Sequence, residues 1–231
     1  MVEATPTAAG MAAPGMVARR RSPFEGHQPG DRPNRAGQIG VRMGAGTLSS
    51  VTLIATWPSG TDALCNALGT ALGAAVPART GDTLHLGSAL LVRSGPEEFM
   101  RVSDQSGDTA ASLRGHIAAD IGSITDLSHA RCLIRIEGDK CRDTLSKLFA
   151  LDFREPAFAL DQVRLTGHHH VPSMLHRRGL DAFDIYVFST YAHDQLSTLV
   201  DAALEYGVSL TLSHAWSHEE ASTHGSTQRK S

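Results

Sequence analysis

The clearest hydrophobic pattern in the chain is AHDQLSTLVDAALEYG, residues 192–207. Leu196, Leu199, Val200, Ala203 and Leu204 fall at i, i+3, i+4, i+7 and i+8, which lines one side of a helix. Gly207 is placed to end it. Just before it, Phe183, Ile185 and Val187 of AFDIYVF share one side of an extended segment. In RCLIRIEG, Cys132, Ile134 and Ile136 alternate with Arg131, Leu133, Arg135 and Glu137, the pattern of a half-buried strand. DKCRDTLSKLF, 139–149, reads as a helix capped by Asp139, with Cys141, Leu145, Leu148 and Phe149 on its apolar face. QVRLTG and VPSMLHRR read as two further strands, and VSLTL closes a last one near residue 212.

The first half repeats this logic with weaker signals. VTLIAT (51–56) is a β-branched run. TDALCNALGTALG follows, with Leu64, Leu68 and Leu72 on one helical face. TLHLGSALLVRSG reads as a strand bent at Gly87, and GPEEFMRVS as a turn and return strand. Leu113 and Ile117 predict a second helix over 109–121, and a strand begins near Ile121. The pattern is an α+β fold of two related, mostly antiparallel sheet-plus-helix units, each sheet covered by helices on one face. The expected division is a disordered head over 1–45, a first unit over 46–123, a second over 124–212 and a disordered tail over 213–231.

Composition narrows the class. The 231 residues are 41% hydrophobic and 19% charged, with a formal net charge of −3. That balance suits a globular chain and offers no basic field for nucleic acid or an acidic membrane. No run approaches the roughly 18 apolar residues of a spanning helix. Cys65, Cys132 and Cys141 are odd in number and lack CxxC spacing, which points away from a disulfide framework and toward a reducing, cytoplasmic setting.

Two stretches hold candidate chemistry. TDLSHARC (125–132) gathers an Asp, a Ser, a His and a Cys. Ser128 and His129 are adjacent, however, and on extended chain they point to opposite sides, so they cannot form a nucleophile–base pair. The segment reads as an Asx- or Ser-type turn. Asp126, Ser128 and Arg131 are its candidates for a ligand or interface contact. In GHHHVPSMLHRR, His168 and His170 share a strand face, and His176 has the same parity but reaches them only if the chain bends near Pro172; these three are the metal-ligand candidates. No phosphate-cradling glycine motif lies between a strand and a helix.

The order of these motifs is familiar. ITDLSHARCLIRIEGDKCRDTLSKLFALDF, together with RSPF (21–24), GPEEFM (95–100) and DAFDIYVFSTYAHDQLSTLVDAALEYG (181–207), resembles the gamma subunit of heterotetrameric sarcosine oxidase over roughly residues 48–212. More distantly it resembles the folate-binding domain of the glycine cleavage T-protein. The resemblance implies a complex with alpha, beta and delta subunits that demethylates sarcosine to glycine, using tetrahydrofolate and oxygen. It implies that FAD, FMN, NAD, tetrahydrofolate and zinc belong to the other subunits, and that this chain is a structural, non-catalytic member with no cofactor of its own. Where the T-protein carries paired acids, the matching HHHVPSML has none, and Ser189 stands where the T-protein has an Asn. The alternatives are a stand-alone folate-binding aminomethyltransferase-like protein, or a gamma-like subunit of an oxidase or dehydrogenase for another N-methylated amine.

Overall fold

The computed structural model describes residues 21–105 and 109–213. Twelve strands form two sheets among them. The strands are β1 (Gly30–Arg32), β2 (Val41–Thr47), β3 (Ser50–Thr56), β4 (Thr83–Leu86), β5 (Ala89–Gly95), β6 (Glu98–Ser103), β7 (Gly122–Asp126), β8 (Arg131–Glu137), β9 (Val163–His168), β10 (Val171–Gly179), β11 (Ala182–Phe188) and β12 (Val208–Ser213). The helices are α1 (Thr61–Leu72), α2 (Thr109–Arg114), α3 (Cys141–Ser146) and α4 (Ala192–Ala203). The larger sheet runs β1-β12-β2-β8-β11-β10-β9 and the smaller runs β4-β5-β6-β3-β7. All pairings are antiparallel except β12 with β2.

Side-chain alternation sets three apolar layers. On β8, Cys132, Ile134 and Ile136 face α3 and α4 and pack with Leu145, Leu196 and Leu199. Leu133 faces the other way, joining Met174 and Tyr186 against Val51, Leu90 and Val102 of the smaller sheet. The smaller sheet's outer side, Ile54, Leu91 and Phe99, meets Leu64 and Leu68 of α1. The sheets therefore stack face to face with a helical layer outside each.

Several expectations need correction. The head is not structureless over its whole length: Phe24 is buried in the helix-side core, and Val41, Met43 and Ala45 place β2 at the centre of the larger sheet. Residues 1–20 and 214–231, the rest of the expected disordered ends, lie outside the described residues. The boundary at 123/124 falls inside β7, and the larger sheet draws β1 and β2 from the head rather than from 124–212 alone. The strand β8 is buried on both faces, not half-buried. The run 83–95 is a hairpin rather than a bent strand, because Gly87 takes a left-handed φ of 61° between β4 and β5. The helix over 139–149 is shorter, starting at Cys141 after Lys140 with no side-chain cap, so Asp139 does not cap it. The strongest expected helix forms as α4 and passes through a short 3₁₀ turn to Gly207 at φ 78°, but Leu204, expected on the apolar stripe, lies in that turn and is exposed.

Candidate functional site

The face of the larger sheet that meets the smaller one carries three zones along β8. Arg131 lies at one end, Leu133 in the apolar middle and Arg135 at the other end.

At the Arg131 end is a cavity of about 120 Å³, walled by Leu53, Met100, Leu165 and Met174, with Ser94, Glu98, Arg131 and Ser173 as its polar lining residues. The Arg131 guanidinium lies over the Phe188 ring, 3.6 Å from its centroid. Burial pulls its pKa down, against the opposing pull of Glu98. Its Nε has no hydrogen-bond partner among the described residues. Glu98 Oε1 accepts from Ser94 Oγ at 2.7 Å. A cation with an aromatic backing, one engaged carboxylate and apolar walls make a binding pocket.

Asp126 and Ser128 stand beside this cavity without pointing chemistry into it. Asp126 Oδ1 accepts from the Ser128 amide at 2.8 Å and from its hydroxyl at 2.5 Å, while Ser128 Oγ accepts from the Val51 amide at 3.0 Å. The hydroxyl and amide of Ser128 hold the Asp126 carboxyl below the usual range. This is the Asx turn that the spacing predicts, and it staples the β7–β8 connection to β3. His129 contributes its carbonyl, which accepts from Ser189 Oγ at 2.9 Å. Cys132 is buried on the helix side, 3.2 Å from Ser189 Oγ. Arg131 alone of the three residues lines the cavity.

At the far end a cross-strand row is made of ionisable groups. Arg135 on β8 is the direct partner of Asp184 on β11, which is the direct partner of His176 on β10. Arg135 Nε and Nη2 donate to Asp184 Oδ1 and Oδ2 at 2.8 and 3.0 Å, and Arg178 Nε donates to Oδ1 at 2.7 Å. Burial alone would raise the Asp184 pKa; the Arg135 hydrogen bonds and the two guanidinium charges outweigh it and hold the carboxyl below its ordinary value.

The structure separates the three candidate histidines. His168 turns to the helix side against Phe149, with ring centroids 5.2 Å apart. His169 and His170 form the β9–β10 turn, both with left-handed φ, so His170 does not share a strand face with His168. His176 lies on the opposite side of the sheet, facing the smaller sheet. There it meets two residues that sequence spacing does not suggest, His85 of β4 and Asp161 just before β9. Asp161 Oδ1 lies 3.2 Å from His85 Nε2 and 3.6 Å from His176 Nε2. Burial pushes both His168 and His176 down to about 4, so their rings are neutral at pH 7.

Known proteins are similar to this chain in sequence and in fold. A curated sarcosine oxidase subunit gamma from Corynebacterium sp. strain U-96 is 28% identical over 148 residues, covering 64% of this chain and 71% of that one. A chain of the heterotetrameric sarcosine oxidase structure from Corynebacterium sp. U-96, in complex with pyrrole 2-carboxylate, superposes with a TM-score of 0.68, covering 81% of this chain and 96% of that one at 22% identity. This chain is similar to the sarcosine oxidase gamma subunits. The two stacked sheets share the fold of the superposed chain over nearly its whole length. The aminomethyltransferase T of the glycine cleavage system from Bartonella henselae shares that fold with a TM-score of 0.54 and 15% identity, over 75% of this chain and 48% of that one. No family model matches the chain. Among the described residues, no helix is long and apolar enough to cross a membrane.

Proposed function

We propose that this chain is the gamma subunit of a heterotetrameric sarcosine oxidase and that it serves the complex by assembly rather than by chemistry of its own. The observation that carries the reading is the sequence match to a curated gamma subunit over 71% of its length, accompanied by the same two-sheet fold. In this reading the partners are alpha, beta and delta subunits in the cytoplasm. FAD, FMN, NAD, tetrahydrofolate and zinc of the oxidase reside in those partners, which carry sarcosine to glycine.

The engagement of its polar side chains favours a supporting role. The Asp126–Ser128 hydroxyl and carboxyl are consumed by a turn, Glu98 is held by Ser94, and Asp184 is held by two arginines. Groups so engaged build a stiff scaffold and are poor proton shuttles. The likeness to the T-protein is one of fold and does not extend the reading to folate transfer.

The test is co-expression of a tagged chain with the genes beside its own, followed by affinity purification and a sarcosine-dependent peroxide assay. The expected eluate is a yellow, flavin-bearing complex that oxidises sarcosine, while the chain purified alone is colourless and inactive. A chain that elutes without flavoprotein partners, or oxidises sarcosine by itself, would overturn the proposal.

A further inference from the structure

The His85, Asp161 and His176 cluster lies where the two sheets meet at their edges. β4 is an edge strand of the smaller sheet and β9 of the larger. The backbone already ties them: Val163 N donates to Gly81 O at 2.7 Å, and Thr83 Oγ1 donates to Asp161 O at 2.6 Å. The three side chains therefore converge from two different sheets on a fixed frame.

We propose that these three residues bind one divalent transition-metal ion of the zinc class, which clips the smaller sheet to the larger. One potential ligand atom from each residue lies within 4.8 Å of the other two. A tetrahedral ion with ligands at about 2.0–2.1 Å sets its ligand atoms roughly 3.3–3.4 Å apart. The two carboxylate-to-imidazole separations, 3.2 and 3.6 Å, bracket that value.

A second observation points independently to a ligand. His176 is 2% exposed, and neither of its ring nitrogens has a hydrogen-bond partner among the described residues. A buried imidazole without a partner is costly, and a bound ion removes that cost directly. The neighbouring guanidinium groups have their own carboxylates, Arg135 on Asp184 and Arg178 shared between Asp184 and Glu137, while Asp161 is turned to the two imidazoles. Two imidazoles and one carboxylate select zinc, cobalt or nickel over calcium or magnesium, which require oxygen ligands. The His85 and Asp161 side chains are 58% and 61% exposed, so solvent can supply the fourth ligand and the ion can enter. The site stands whether or not the chain joins an oxidase.

The experiment uses the full chain without a histidine tag, stripped with chelator and titrated with cobalt(II), then competed with zinc. The expected result is one equivalent bound at micromolar metal with a tetrahedral visible spectrum, and a zinc-dependent rise in the unfolding midpoint. His85→Gln and Asp161→Asn change exposed side chains, so the fold survives by circular dichroism. Each should weaken binding by about tenfold or more and abolish the midpoint shift. A His169→Gln/His170→Gln variant should bind as the parent does. Failure of the parent to bind, unchanged binding in His85→Gln and Asp161→Asn, or loss of binding in the His169/His170 variant would each overturn the proposal.

Discussion

Asp184 is fully buried and ionised, which only its two arginines make tolerable. Replacing one partner of such a pair leaves uncompensated charge in the core. Asp184→Asn should therefore cost roughly 3–5 kcal/mol at neutral pH, read by urea unfolding of the purified chain. The pH dependence has a definite sign. The folded-state pKa of Asp184 is depressed, so its stabilisation is present above the unfolded value near 4 and lost as pH falls through the lower folded value. The gap between parent and variant should accordingly close as pH drops below about 4. A gap that stays constant to acid pH would show that Asp184 is not held ionised by its neighbours. At this scale the sequence revealed residue types but not partners. Alternation on 131–137 marks Arg135 as belonging to the side opposite Ile134, and nothing local says that this side is also buried.

Among the elements, long periodic ones were legible and short ones less so. The α4 stripe formed through Leu196, Leu199 and Ala203 but not Leu204, which is exposed in the following turn, and β11 formed with Phe183, Ile185 and Val187 on one face and its opposite face buried as well. β2 was missed because its inward side is Val41, Met43 and Ala45 while Gly44 and Gly46 dilute the signal, so it reads as a flexible run. α3 stops early because only Cys141, Thr144 and Leu145 find places in the core before the chain turns, with Phe149 buried beyond the helix. The β9–β10 hairpin turns through His169 and His170 at φ 48° and 67°. A two-residue turn with both φ positive favours Asn-Gly, and histidine there carries strain. The double change His169→Asn/His170→Gly should raise stability by about 1 kcal/mol in thermal or urea unfolding. A loss of stability would mean that the two histidine side chains contribute contacts worth more than the strain.

For the whole molecule, the cost of separating the two units follows from the layer between them. Val51, Leu90, Val92 and Val102 of the smaller sheet are buried against Leu133, Met174 and Tyr186 of the larger. Residues 46–123 expressed alone would expose that layer and lose β8's sheet as a cover. The fragment should lack a cooperative unfolding transition and bind a hydrophobic dye, whereas the full chain unfolds in one step. A fragment that melts cooperatively would show the two units to be independent domains. The cavity belongs to this scale too, since Leu53 and Met100 come from one sheet and Arg131 and Met174 from the other.

By itself the sequence determined the fold class, most of the strand and helix positions, and the family resemblance, because periodicity and turn chemistry act over a few residues. It also determined that TDLSHARC is a turn, since adjacent residues on extended chain cannot meet. The tertiary structure alone decided that β2 and β12 complete the larger sheet, that Asp184 is a buried charge and that His176 meets His85 and Asp161 rather than His168. Those outcomes depend on strand register and on the facing of two sheets. They bring together residues far apart in the chain, such as Val41 with Val208 and His85 with His176, whose proximity no local pattern records.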